Sequence, residues 1–260
     1  MDCRGKHALL AGATGGIGQA IAVELDRAGA CLTLVGRSEE KLSTLCRRLS
    51  GPHHSIAADL GDPAQRERVA RHGEQTGLDI LVNALGVMDF RLLEAQEPAA
   101  IDQMVQINLL APMLLCQRLL PLLRTRESAA IVNIGSIFGS IGHPGFTAYC
   151  ATKFGLRGFT EALQRELGDS AVRVSYLAPR ATRTDLNSAA VTALNEALGN
   201  ATDTPEEVAT AVMQVLGDQR RQRYLGWPEN LFVRLNGLFP SLVHNALTRK
   251  LHIIRRHAES

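Results

Sequence analysis

A doubly wound α/β fold, with helices on both faces of a mostly parallel sheet, is the class this sequence predicts. Three observations predict it. Short apolar runs alternate with longer amphipathic ones from the first residues to about position 216. The apolar runs lack a polar face, so both sides of their sheet need a helical cover. The chain is 45% hydrophobic but only 4% aromatic, with 23 glycines, which suits a core of Leu, Val, Ile and Ala between sheet and helices.

The strands read in order as "HALLAGA", "CLTLVGR", "HSIAADL", "LDILVNAL", "AAIVNIGS" and "VRVSYLAP", with "QRYLGW" as a seventh. Between them the helix-like segments are 17–27, 39–49, 63–72, 98–123 and 147–167. This β-α-β-α order implies right-handed crossovers and hence a parallel sheet. The chain has no internal repeat, low-complexity tract or Pro/Gly/Ser-rich linker. Residues 1–227 are therefore expected to form one domain of about seven strands, with 228–260 as a C-terminal amphipathic basic helical extension.

The net charge of +2 gives no ground for nucleic-acid binding. Its distribution is uneven, because from Gln219 onward eight Lys or Arg face two Glu. The five cysteines, Cys3, Cys31, Cys46, Cys116 and Cys150, are dispersed and never in a Cys-x-x-Cys arrangement. Reduced thiols in a cytoplasmic setting are expected, with no metal site. No uninterrupted apolar run approaches the ~18 residues of a membrane span, and the N-terminus lacks the apolar stretch of a signal peptide.

"LLAGATGGIGQAIAVEL" places Gly12, Gly16 and Gly18 between the first strand and the first helix, with Thr14, Gly15 and Ile17 among them. Glycines let the backbone turn tightly and let a pyrophosphate approach, while the helix N-terminus offers free N–H groups and a positive dipole end. The second strand ends "LVGRS". An acidic residue there would hold a ribose diol, but Gly36 carries no carboxylate and Arg37 follows. A guanidinium suits a 2′-phosphate, which favours NADP over NAD. The third strand ends at Asp59-Leu60, where a carboxylate either reaches an adenine amino group or caps the next helix.

Tyr149 precedes Lys153 by one helical turn in "FTAYCATKFG", so the two project from one face. A free phenol has a pKa of about 10, too high for efficient proton transfer near neutrality. An ammonium beside it is expected to lower that value. Tyr149 then donates a proton to a carbonyl oxygen, or takes one from an alcohol. Ser136, at the carboxyl end of a central strand, is placed to hydrogen-bond the same oxygen.

With these residues in view, the chain resembles the short-chain dehydrogenase/reductase family over roughly residues 5–216. The resemblance rests on the glycine loop, "NALG" at 83–86, Asn108 in "QINLL", Ser136 in "NIGS", and Tyr149-x-x-x-Lys153, all in the family's order. It implies a Rossmann-type fold and oxidoreductase activity. It also implies that Lys153 contacts the nicotinamide ribose and that Asn108 holds a water linking Lys153 to solvent. Asn83, Gly86 and the "PRATRT" residues Pro179, Thr182 and Thr184 stand as cofactor contacts on the same ground. Three positions depart from the family pattern: Ala11, Ala84-Leu85 and Arg180, the last bordering the cofactor or pocket and pointing either at an acidic substrate group or at solvent.

The expected reaction is reduction of a ketone, aldehyde or 3-oxoacyl group to an alcohol with NADPH. The alternatives are an alcohol or hydroxysteroid-type dehydrogenase working oxidatively and a non-catalytic dinucleotide-binding scaffold. Expected pocket walls are Met88, Ile137, Phe138, His143 and Phe146, with a lid helix within 184–200. These walls are mostly apolar, which suits an apolar carbonyl compound, although for His143 a place on a water-facing loop is the more natural one. The long segments 98–123 and 147–167 suit pairing with symmetry mates, so a homo-oligomer, dimer or tetramer, is expected. In the tail, Leu231, Leu235, Leu238 and Leu242, then Val243, Leu247, Leu251 and Ile254 beyond a break at Pro240, form a stripe opposite Arg234, Arg249, Lys250, Arg255 and Arg256. This stripe either packs on the enzyme or another subunit, or makes peripheral contact with an anionic membrane through residues 228–256.

Overall fold

The computed structural model describes residues 1–218 and 220–258. The apolar runs become strands β1 (His7–Ala11), β2 (Cys31–Gly36), β3 (His54–Ala57), β4 (Ile80–Asn83), β5 (Ala129–Ile134), β6 (Val172–Ala178) and β7 (Gln222–Tyr224). They pair in parallel in the order β3-β2-β1-β4-β5-β6-β7. The chain thus runs outward from β1 to β3, then returns and runs outward from β4 to β7. That reversal between β1 and β4 opens a crevice at the carboxyl ends of the strands, where such sheets bind ligands.

Both sheet faces are buried, as runs without a polar face require. On one side α1 (Gly16–Arg27), α2 (Glu39–Cys46) and α8 (Pro205–Asp218) set Ile21, Leu25, Leu42, Leu45, Val208 and Val212 on Leu10, Leu34, Ile80 and Val82. On the other, α3 (Pro63–Thr76), α5 (Ala111–Arg124) and α6 (Thr147–Glu166) set Val69, Leu115, Leu119, Leu123 and Leu163 on Leu9, Val35, Leu81 and Ile131. Leu9 and Leu10 point to opposite sides because side chains alternate along a strand. Each such side chain, fully buried, contributes about 1.5–3 kcal/mol.

Helix α3 runs four residues past its expected end to Thr76, where Gly77 in the left-handed region closes it. Helix α2 stops at Cys46, three residues short of expectation. The long segment 98–123 does not form one regular helix. It divides into α4 (Pro98–Val105), a π turn (Gln106–Leu110) and α5. Pro112 has no N–H to return to residue 108, so the ladder slips and Ala111 N–H bonds the carbonyl of Gln106. By length and composition the stretch Pro98–Arg124 is apolar enough to cross a membrane. Here Leu115, Leu119 and Leu123 of that stretch are buried against the sheet.

Beyond β6 the chain makes α7 (Ala189–Leu198) over the crevice. The base of this excursion is closed by backbone bonds between Asp203 and both Ala181 and Arg183. The tail forms three helices, α9 (Glu229–Leu238), α10 (Pro240–Arg249) and α11 (Leu251–Ala258). The break at Pro240 is where the sequence placed it, whereas the second break at Lys250 carries no proline or glycine signal. The tail packs on its own subunit. Val233 and Val243 join Ile137 and Ile141 in one cluster, and Ile254 joins Val191 and Leu194 of α7 in another.

Candidate active site

The carboxyl ends of the strands open onto one cleft of about 860 Å³. One end of it is built by the turn after β1. Gly12 has φ +86°, and a Cβ there would lie 2.5 Å from the carbonyl oxygen of Ala84. A Cβ on Gly18 would lie 2.1 Å from the carbonyl oxygen of Gly12. Only glycines let this turn and helix approach so closely. Helix α1 is preceded by Gly15, which offers no side-chain cap, so its first N–H groups face the cleft unpartnered by the helix. A diphosphate fits that donor set.

Among the residues expected from sequence, Gly12, Thr14, Gly15, Gly16, Ile17, Gly18, Arg37, Asp59, Leu60, Gly86, Ser136, Tyr149, Lys153, Pro179, Thr182 and Thr184 all line this cleft. Asn83 and Asn108 do not. Asn83 is buried within the sheet, where its amide donates to Asn133 Oδ1 at 2.8 Å and to Cys116 Sγ at 3.5 Å. Its side chain points to α5. The amide of Asn108 donates to the carbonyl of Val87 and accepts from its N–H, each at 2.8 Å, and also donates to Thr152 Oγ1. Asn108 therefore ties the loop after β4 to α6. Any water-holding role falls on its backbone carbonyl, which has no i+4 N–H partner because residue 112 is proline.

Asp59 is not the helix cap. That place belongs to Asp62, which accepts from Gln65 N–H, while Asp59 accepts from Gly61 N–H and faces the cleft. At the end of β2, a Cβ on Gly36 would lie 2.7 Å from Thr14 Cγ2. Thr14 thereby excludes the acidic side chain that a ribose diol would call for. Arg37 and Lys41 both line the cleft beside this point, exposed and without an ion pair among the described residues. Lys41 was missed from sequence; the available signal was a second cation one turn after Arg37.

At the opposite end of the cleft, Ser136, Tyr149 and Lys153 come together. Ser136 lies two residues beyond β5 and accepts from Phe138 N–H at 3.1 Å, capping the short turn that follows. Tyr149 and Lys153 are almost fully buried on α6. The Lys153 ammonium donates to the carbonyls of Leu85 and Ile134, each at 3.3 Å, and lies 5.8 Å from the Tyr149 ring centroid. The departure at Ala84-Leu85 is thus harmless to Lys153, which uses only the backbone there.

The expected lowering of the Tyr149 pKa is corrected by the structure. Burial pushes the phenol up to about 12, and hydrogen bonding with the Ser136 side chain offsets this only in part. Burial also brings Lys153 down to about 8. Removing both groups from water penalises phenolate and ammonium alike, and burial is the largest cause of both shifts. The phenol is therefore held as a proton donor.

Sequence reasoning also missed Tyr176. Its hydroxyl accepts from Ser136 N–H at 3.3 Å and donates to the Ser136 carbonyl at 3.2 Å. A Cβ on Gly135 would lie 2.1 Å from the Tyr176 ring, so the glycine before Ser136 makes room for this prop. The register of β5 on β6, Asn133 beside Tyr176, creates the contact, and no local motif announces it. Two further expectations change. Arg180 borders the cleft, but its guanidinium is engaged within the protein: it bonds Asp203 at 2.7 Å and Glu229 at 3.3 Å, joining the base of α7 to the start of α9. His143 is buried, stacked on Phe138 and bonded to the Pro144 carbonyl.

The short chain dehydrogenase family profile matches residues 6–195. The chain belongs to this family. Among its relatives, Nodulation protein G of Rhizobium sp. (strain N33) is 35% identical over 180 residues, covering 68% of this chain and 74% of that protein. The 3-oxoacyl-[acyl-carrier-protein] reductase FabG of Rickettsia bellii (strain RML369-C) is 33% identical over 217 residues, covering 82% and 89%. A dehydrogenase/reductase from Sinorhizobium meliloti 1021 matches in structure with a TM-score of 0.77 at 28% identity, covering 87% of this chain and 96% of its own. This short-chain dehydrogenase therefore carries residues beyond the fold it shares with that enzyme.

The walls Met88, Ile137, Phe138, His143 and Phe146 all face the cleft. They are joined by Val191, Leu194 and Leu198 of α7 and by Phe232, Leu235, Leu242, Val243 and Leu247 of the tail. The tail thus roofs the substrate end. Its helical spacing was visible in sequence, but its place above Ser136 and Tyr149 was not.

Proposed function

We propose that this short-chain dehydrogenase reduces the carbonyl of a largely apolar substrate, of the 3-oxoacyl kind, with NADPH. The observation that carries the reading is the meeting of Ser136, Tyr149 and Lys153 at the apolar end of a cleft whose other end is a diphosphate cradle. The relatives named as 3-oxoacyl-[acyl-carrier-protein] reductases support the substrate class.

The dinucleotide, when bound, supplies the hydride that adds to the carbonyl carbon. The Gly12–Gly18 turn and the α1 N-terminus would hold its diphosphate, and Arg37 with Lys41 would receive a 2′-phosphate. Ser136 Oγ fixes the carbonyl oxygen, held in place by Tyr176 on its backbone. Tyr149 Oη, kept protonated by burial, gives its proton to that oxygen as the C=O bond becomes C–OH. Lys153 stabilises the phenolate left behind. The aliphatic and aromatic walls accept an acyl chain and offer few partners to a sugar.

We further propose a cytoplasmic homo-oligomer; the dispersed, unpaired cysteines support the compartment. Exposed Val105 and Phe154, on α4 and α6, are supported as pairing positions by their size and apolar character. The test of function is NADPH consumption with a panel of ketones, aldehydes and 3-oxoacyl thioesters, run beside NADH. Tyr149→Phe is expected to lose turnover by at least about a hundredfold and to keep cofactor binding. A preference for small polar sugars, or near-normal rates in Tyr149→Phe, would refute the proposal.

A further inference from the structure

The roof of the cleft has an outer surface with an unusual composition. Trp227 is 69% exposed, Leu238 73%, Phe239 58% and Leu242 61%, and Leu231 and Phe232 are also exposed. Exposed large apolar groups gathered on one short segment mark an interaction surface. From Asn230 to Ala258 the sequence contains no Asp or Glu, yet it contains Arg234, Arg249, Lys250, Arg255 and Arg256. None of these five forms an ion pair among the described residues. Leu242 and Arg249 are seven residues apart on α10, so apolar and cationic groups share one face.

We propose that the outward face of α9–α11 docks on an anionic lipid bilayer, with the elbow at Leu238–Leu242 in the interface. Three physical points select this occupant. Interfacial helices combine large apolar side chains with Lys and Arg, and each cation near an anionic surface adds about 1 kcal/mol, or roughly fivefold in partition. A second copy of the same face would set five unpaired cations against five. An acidic protein would satisfy the cations but would leave the aromatic and leucine surface without a reason. The docked face adjoins the cleft, because Phe232, Leu242 and Lys250 line it as well. Bilayer contact therefore brings the cleft mouth to lipid-borne carbonyl compounds. This last step rests on the proposed function, whereas the docking does not.

The full chain contains a single tryptophan, Trp227, which serves as the probe. Trp227 emission and flotation are measured with phosphatidylcholine vesicles, with and without about one third phosphatidylglycerol. The expected result is a blue shift and flotation with the anionic vesicles, weakened by added salt. Leu238→Ser with Phe239→Ser, neither of which lines the cleft, is expected to lower partition by at least about tenfold while leaving NADPH turnover on a water-soluble ketone unchanged. Arg255→Gln with Arg256→Gln is expected to weaken anionic binding by roughly fivefold per charge; it keeps the test open if the apolar pair misfolds. Failure to bind anionic vesicles would overturn the proposal. So would burial of Trp227 by self-association or by a soluble acidic carrier protein in the absence of a vesicle response. Vesicle binding by an enzyme without carbonyl reductase activity would sustain the docking and sink only the functional reading.

Discussion

Arg37→Ala is the sharpest test of cofactor preference, because the structure isolates what that residue can do. Thr14 packs where any side chain at position 36 would have to sit, so that position offers no carboxylate to the ribose. Arg37 is exposed at the cleft edge and has no ion pair among the described residues, with Lys41 beside it. A charge-assisted guanidinium–phosphate contact contributes about 1.5–3 kcal/mol, or roughly ten- to a hundredfold in affinity. Exposure to water moves this toward the lower end, so Arg37→Ala is expected to raise the Kd for NADPH about tenfold. Lys41→Ala, removing a point charge rather than a bidentate fork, is expected to cost about threefold. NADH has no 2′-phosphate, and its Kd is expected to stay within about twofold in both variants. Fluorescence titration of each dinucleotide measures these values without needing the substrate. If Arg37→Ala weakens NADH and NADPH equally, the residue is packing on the adenosine, and the phosphate argument fails.

Three further outcomes follow from the geometry. With Lys153 brought down to about 8 and Tyr149 up to about 12, rising pH removes the ammonium first; kcat/KM for NADPH should be level below about 8 and fall roughly tenfold per unit above it, and a profile flat to pH 10 would contradict this. Tyr176→Phe removes two hydrogen bonds to the Ser136 backbone while keeping the ring against Gly135. It is expected to cost about 1–2 kcal/mol of stability, to lower Tm by about 2–8 °C, and to reduce kcat while leaving the KM for NADPH unchanged; an equal rise in both KM values would argue for general loosening instead. Burial lowers the pKa of His7, His72 and His143, with the charge of His54 adding to the effect on the first two. Their stabilisation is present above the unfolded value of about 6.5 and is lost as pH falls through the lower folded values. Urea unfolding at pH 7.5 and 5.5 should show a smaller ΔG at the lower pH, and identical values would remove the histidine account.

Strand identity and order along the chain, the glycine turn, and the Tyr149–Lys153 pair were legible from residues alone, because each is set by local rules. Apolar runs without a polar face demand a two-sided cover, close backbone approach demands glycine, and one helical turn puts two side chains on one face. The π turn at Gln106–Leu110 was also latent in Pro112, though only hydrogen-bond bookkeeping reveals it. What tertiary structure alone decided depends on which distant segments meet. The packing of Asn83 toward Cys116, the prop that Tyr176 gives Ser136, and the link from Arg180 to Asp203 and Glu229 join residues 23 to 49 positions apart. The direction of the Tyr149 pKa belongs in the same group. Spacing supplies the ammonium, but the cost of burying phenolate is set by everything packed around it, and that is a property of the assembled cleft.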